Sequence, residues 1–176
     1  MAMSDFDDPD LDAEDDNIAH TYLTFAVADE EFALPVANVT EIVRLQRIFA
    51  VPDVPSHIRG VINLRGKVIP LLDVRARFGV TRAPYDDRTV VVVIEVDEAP
   101  TGLVVDAVFD IAEIPPEATE PAPATTRAIG SSTVTSMSKR GDRVTFIVDV
   151  PRLVGPAFTP PEPTRNNVLS REGSTQ

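Results

Sequence analysis

Apolar and polar residues alternate along most of the chain from residue 21 to 150, and the alternation predicts short strands. Leu23, Phe25 and Val27 alternate with Thr24 and Ala26, and Phe32, Leu34 and Val36 alternate with Ala33 and Pro35. Ala28, Asp29 and Glu30 lie between the two segments as turn residues, so they predict a hairpin. Val61 to Leu64 and Val68 to Leu72 flank Arg65-Gly66-Lys67, a second hairpin in which Gly66 can supply a positive φ. Val90 to Val96 is β-branched and apolar on both faces, which predicts a central strand. Thr101 to Asp106, Val108 to Ile114, Ser132 to Met137 and Arg143 to Asp149 complete about nine strands, with the last two joined through Lys139-Arg140-Gly141-Asp142.

Helical patterning is sparse. Asp73 to Gly79 has a capping carboxylate, Val74 and Phe78 four apart, and a terminal glycine, while Arg75 and Arg77 fall off its apolar side. Val36, Val39 and Val43 fit a helical turn, yet Val39, Glu41 and Val43 fit a strand equally well, and the pattern does not choose. Pro115, Pro116, Pro121 and Pro123 predict a surface loop from about residue 115 to 126. Many short strands with Gly and Pro punctuation point to an all-β fold of small barrels or a sandwich.

Composition narrows the picture. The chain has 176 residues, enough for one domain or two small ones that share a core, and no cysteine, which excludes a disulfide scaffold, thiol catalysis and thiolate metal sites. The longest apolar run, Val90 to Ile94, is far short of a membrane span, and the acidic start does not resemble a secretory signal; a soluble cytoplasmic protein is the expectation. The formal charge is −12, but eight carboxylates between Asp5 and Asp16 supply two thirds of it. Residues 1–20 therefore read as a disordered acidic tail, 21–155 as the folded body, and 156–176, with Pro160, Pro161 and Pro163, as a flexible C-terminal tail. The acidic run has no glycine at the place an EF-hand loop requires, so calcium binding is not its reading.

Candidate chemistry is thin. His20 and His57 have no partner at metal-ligand spacing, and Ser131-Ser132 lacks the Gly-x-Ser-x-Gly elbow of a hydrolase. Gly60 to Gly66 is followed by a strand, not by the Gly-Lys-Ser/Thr and helix of a phosphate loop. Asp106 and Asp110, four apart, read as turn residues before they read as an acid–base pair. The near-neutral body has no basic stripe and few aromatics for stacking, which disfavours nucleic acid. The seven arginines between Arg44 and Arg82 suit protein partners instead.

One residue stands out. If Val39 to Val43 is extended, Glu41 shares a face with two valines and needs a partner, because desolvating a lone carboxylate is costly. Arg65 at the tip of the second hairpin is that candidate partner. In the helical alternative Glu41 simply faces solvent.

The stretch from Val39 to Gly79 closely resembles the CheW family of chemotaxis coupling proteins. The resemblance is carried by Val39-Thr-Glu-Ile42, Val51-Pro-Asp-Val-Pro55, Ile58-Arg-Gly-Val-Ile-Asn-Leu-Arg-Gly66, Val68-Ile-Pro70, Leu72-Asp-Val-Arg75 and Phe78-Gly79. It extends through Gly102 to Val108 and Pro121-Ala-Pro123, covering roughly residues 21 to 154. It implies two interlocked five-stranded SH3-like barrels with a few short helices, and an adaptor without catalysis, cofactor or metal. By the same resemblance, the partners are chemoreceptor cytoplasmic tips and the regulatory domain of the histidine kinase CheA, with recruitment to receptor arrays at the inner face of the membrane and no insertion into it. The matching receptor-side positions are Val39, Glu41, Gly60 and Arg65, with Val91 on the neighbouring strand; the kinase side falls at Ile42, Leu45, Ile48 and Val61. Ala128 to Ser132 and Pro151 depart from the family pattern, Pro151 where members continue into a short helix. Two other readings fit the same sequence: a CheW-like module serving a CheA-type kinase outside chemotaxis, and a ligand-binding barrel or enzyme using the groove between barrels.

Overall fold

The computed structural model describes residues 18–80, 84–122 and 133–155. The expectations for residues 1–17, for the C-terminal tail and for Ala128 to Ser132 lie outside those residues; the end of the expected N-terminal tail does not, because Ile18 and Ala19 form a helical turn and the His20 carbonyl accepts the Ile114 N–H at 2.8 Å. Eleven strands form among the described residues: β1 (Thr21–Val27), β2 (Glu30–Pro35), β3 (Val39–Arg44), β4 (Ile58–Leu64), β5 (Lys67–Asp73), β6 (Val90–Val96), β7 (Ala99–Val105), β8 (Ala107–Glu113), β9 (Thr119–Pro121), β10 (Val134–Arg140) and β11 (Arg143–Val148). The two beyond the sequence expectation have physical causes. Val36–Asn38 is a single 3-10 turn that delivers the chain into β3, so the helical and the extended patterns are both present, one after the other. The proline-rich stretch is not loop throughout, because Pro116–Ala118 turns and Thr119–Pro121 pairs with β10 as an edge strand, where proline is tolerated. Asp110 lies within β8, not in a turn.

The strands form two sheets, in the orders β8-β1-β2-β11-β10-β9 and β3-β6-β7-β5-β4. Past β3 the chain returns to β4, where Phe49 and Val61 exchange backbone hydrogen bonds of 2.8 and 2.9 Å, and this bridge closes the second sheet into a barrel. Two short helices follow equivalent strands. α1 (Val74–Arg77) is capped by Asp73, which accepts from the backbone of Arg75 and Ala76, and α2 (Val150–Val154) by Asp149, which accepts from Arg152. Pro151 does not stop the second helix; it occupies the first turn, where its missing N–H costs nothing.

The two halves of the chain repeat one plan. Lys67 to Gly79 reads KVIPLLDVRARFG and Arg143 to Gly155 reads RVTFIVDVPRLVG, each a strand, a capping aspartate, a helix and a glycine with positive φ. Each of these strands pairs in parallel with a hairpin from the other half: Leu71 opposes Gly102, and Ile147 opposes Ala33. β3 and β8 carry the same bulge, with Val39 opposite Ile94 and Ile42 opposite Val92, against Val108 opposite Phe25 and Ile111 opposite Leu23. The hairpins β1–β2 and β6–β7 are thus exchanged, each completing the sheet of the other half.

This exchange explains the core. Leu23, Phe25, Phe32 and Leu34 from the first sheet pack with Ile58, Leu72, Val92, Ile94, Leu103 and Val105 from the second in one cluster, sealed by Val150 and Leu153 of α2. A second cluster, including Ile62, Leu71, Val91 and Val104, fills the β3–β7 barrel alone. Gly102 makes that filling possible: a Cβ there would sit 2.6 Å from Leu71 Cδ2 and 2.7 Å from Val91 Cγ1. Gly102→Ala is therefore expected to destabilise the protein by about 1–3 kcal/mol through overpacking, read as a lower urea midpoint, and an unchanged midpoint would contradict this account.

Candidate functional site

The site is built on the bulge in β3. Two residues of β3, Thr40 and Glu41, occupy the space opposite the single residue Val93, and the Thr40 hydroxyl bonds the Val93 carbonyl at 3.0 Å. Because the bulge breaks the alternation, Val39 packs against the shared core and Val43 against the core of the second barrel. Glu41 does not share a face with both valines, as a regular strand would require. It lies half-buried between them and forms a close, charge-assisted hydrogen bond with Arg65.

Arg65 and Gly66 form the two-residue turn between β4 and β5, both with positive φ (52° and 87°), and Asn63 Oδ1 accepts the Gly66 N–H at 2.9 Å. The turn projects the guanidinium so that 69% of the Arg65 side chain and 30% of Glu41 remain exposed. The hydrogen bond and charge of Glu41 raise the pKa of Arg65, which is a cation at any working pH regardless. A pair so exposed shapes a surface more than it holds a fold.

The other positions expected on the receptor side behave differently. Gly60 is buried with φ +141°, and a Cβ there would lie 2.3 Å from the Phe49 carbonyl oxygen and 2.9 Å from Ile48 Cγ2. Its role is to let the 45–50 segment lie on β4. Val91 has no solvent exposure and packs inside the second barrel. It supports the surface from beneath and cannot touch a partner, so the expectation for that residue is corrected. The alternation within β6 turns Val91 inward, and an apolar run on both faces of a strand is a mark of burial.

Among the positions expected on the kinase side, Ile42 is exposed, whereas Leu45 and Ile48 are half-buried against the second core and Val61 is half-buried at the Phe49 bridge. Phe49, a lone aromatic that sequence patterning passes over, is 45% exposed with the Arg47 guanidinium 5.0 Å from its ring centroid. Gly60 touches Ile48 and Phe49, so the two sets of positions meet at the closure of the barrel and form adjoining surfaces. Among the described residues, Phe109 and Ile111 on β8, at 49% and 60%, are the other large exposed apolar side chains on the strands.

Two polar clusters also escaped sequence reading. Glu31, buried on β2, accepts from Thr145 Oγ1 at 2.5 Å and from Arg140 at 3.2 Å, and pairs closely with Arg143. Asp106 takes Arg75 in a two-pronged contact of 2.7–3.0 Å and accepts the Ala28 N–H. Both border a groove of about 700 Å³ whose walls also carry Asp29, Glu30 and Phe109. None of the receptor- or kinase-side positions expected from the sequence lines it, whereas Asp106, named there as a turn residue, does. No group of three or more metal-ligating side chains occurs among the described residues, and no helix among them is long and apolar enough to cross a membrane.

Two small barrels fused through a common core, with an ion pair and isolated exposed apolar side chains on their rims, define a module whose working parts are surfaces. The CheW-like domain model matches residues 21–157. The chemotaxis protein CheW of Klebsiella aerogenes is 30% identical over 139 residues, 79% of this chain and 84% of that protein. The CheW of Helicobacter pylori is 29% identical, over 82% of this chain and 87% of its own. The crystal structure of the scaffolding protein CheW from Thermoanaerobacter tengcongensis superposes with a TM-score of 0.71 at 30% identity, covering 78% of this chain and 89% of that one. The chain belongs to the CheW family of non-catalytic scaffold proteins.

Two outcomes test the geometry. Gly60→Ala is expected to lower the unfolding midpoint and displace the 45–50 segment, while Arg65→Ala leaves the midpoint nearly unchanged. Denaturant titration distinguishes them, and the reverse order would mean that the ion pair, not the glycine, holds the rim. His57 supplies a pH dependence. It borders an apolar cavity of about 190 Å³ with Pro55, Ile58, Pro70 and Val154, and burial, followed by the charge of Arg77, lowers its pKa from 6.5. Unfolded chains thus take up the proton first, so stability falls as pH drops below 6.5 and levels off beneath the folded value. His57→Gln should flatten that part of the stability–pH curve.

Proposed function

We propose that this chain couples chemoreceptors to the histidine kinase CheA, with the rim around Glu41 and Arg65 facing the receptor and the adjoining apolar strip at Ile42 and Phe49 facing the kinase regulatory domain. The observation that carries this reading is the ion pair itself. The β3 bulge and the Arg65 turn hold two charged side chains together at an exposed rim, where they add little to the fold and are free to exchange partners. Membership of the family and the chemotaxis names of its relatives support this choice of partners.

The physical division of labour follows from the surface. Apolar anchors such as Ile42 and Phe49 gain from burial against a complementary patch, while the Arg65 guanidinium fixes register by pairing with a carboxylate of the partner. Each contact is expected to be of standard size, roughly 1,200–2,000 Å² in total. Val39 and Leu45 back the two areas from within, and Ile48 and Val61 set the height of the strip.

Reconstitution tests the proposal directly. In a mixture of purified receptor fragment, kinase and this protein, the wild-type chain should raise kinase activity. Arg65→Ala should weaken receptor binding roughly ten-fold or more while kinase binding stays within about two-fold, and Ile42→Asp should do the reverse, as expected for anchors at separate contacts. Circular dichroism of each variant should match the wild type. Binding of the kinase without any receptor would favour a CheA-type pathway outside chemotaxis, and binding of neither would overturn the reading.

A further inference from the structure

The exchanged hairpins carry a consequence for self-recognition, independent of the partners proposed above. The first sheet is completed only when β8, β10 and β11 of the second half receive β1–β2 of the first, and the second sheet only when β3, β4 and β5 receive β6–β7. Every pairing across the two halves is of this kind: β11 with β2, β8 with β1, β5 with β7 and β3 with β6. The shared core is divided the same way, with Phe25 and Phe32 from one half against Val148 and Leu153 from the other. Arg77 adds a polar seam, donating to the carbonyls of Leu153 at 2.8 Å and Arg152 at 2.9 Å, and the Arg75–Asp106 pair is a second.

We propose that the two halves, residues 21–79 and 90–155, are complementary modules that recognise each other between chains as well as within one, so that two copies of this protein can exchange halves into a dimer. All the contacts just described would be present twice in that dimer, unchanged. Only the connection differs. Val80 to Thr89 is ten residues, and an extended segment of that length reaches roughly 30 Å. Within it the Tyr85 hydroxyl donates to Asp73 at 2.9 Å and the Val80 N–H to the Arg75 carbonyl at 2.8 Å, while Asp86 and Thr89 close a turn in front of β6. Once the halves have paired between chains, the net cost of exchange is therefore these few local hydrogen bonds plus the lost freedom of two chains held together, which makes the closed monomer the favoured form in dilute solution. Exchange of identical elements is a low-cost route to a dimer because no new interface has to be invented.

The test uses the full chain with a protease recognition site inserted between Val80 and Pro84. Cutting the monomer should leave the two fragments together at the original elution volume with an unchanged far-ultraviolet spectrum. Tagged and untagged chains, unfolded together in urea and refolded at high concentration, should yield a mixed dimer that increases with concentration. Cutting that dimer should convert it to nicked monomers, because the connections alone hold its two lobes together. Fragments that separate or unfold on cutting would overturn the complementarity. Refolding that gives monomer alone at every concentration, or a mixed dimer that survives cutting, would overturn the exchange.

Discussion

The shared core between the sheets is the constraint on which the rest depends. Phe25 and Phe32 of the first sheet stack at 6.0 Å between centroids, and Phe32 meets Phe78, beyond α1, at 4.9 Å and Phe146 of β11 at 5.8 Å. All four rings belong to one packing unit, and Phe32 touches structure from three parts of the chain. Aromatic side chains of this size dominate the energetics of small cores. Each sheet turns one face to this shared core and could not bury that face without the other, so the pair folds as one body although each sheet is the size of an independent small barrel.

That constraint also locates the function. Residues that build the common core have no freedom to meet partners, and what can vary is confined to the rims and outer strands. There the bulges in β3 and β8 turn side chains outward. In the first barrel the polar investment is internal, with Glu31 clamped by two arginines and a threonine; in the second it is external, with Glu41 and Arg65 at the surface. A duplicated plan has been put to different uses by changing a few charged positions, and a scaffold protein with two unlike surfaces is the result.

Sequence reading recovered the elements whose signals are local. The hairpins at Ala28–Asp29 and Arg65–Gly66 follow from turn chemistry flanked by alternation, and α1 follows from its aspartate cap and terminal glycine. The Glu41–Arg65 pair was legible because a carboxylate among valines demands an explanation. What depended on three dimensions was not. The β3 bulge, which separates Val39 from Val43, leaves no mark in composition, and Val91 looked available although its strand is buried on both faces. Phe49 reads as a stray aromatic until its backbone is seen closing the barrel. Glu31 hides beside the turn residue Glu30, and only the fold brings Arg140, Arg143 and Thr145 to it. The internal repeat escaped for a similar reason: its halves share a plan of strand, cap and helix, with little residue identity.

The turn at Arg65 sets conformation against recognition. Its φ of 52° belongs to the region where glycine and asparagine are comfortable and a long side chain is not. Local stability alone would favour a smaller residue there, which would relax the backbone and discard the one cation that meets Glu41. Under the proposed receptor contact, selection for a more robust molecule and selection for a working one would pull this position in opposite directions. If Arg65 meets the receptor as proposed, descendants of this chain evolving under heat alone would drift toward an inert barrel at this residue, and an arginine retained there would record the partner's demand.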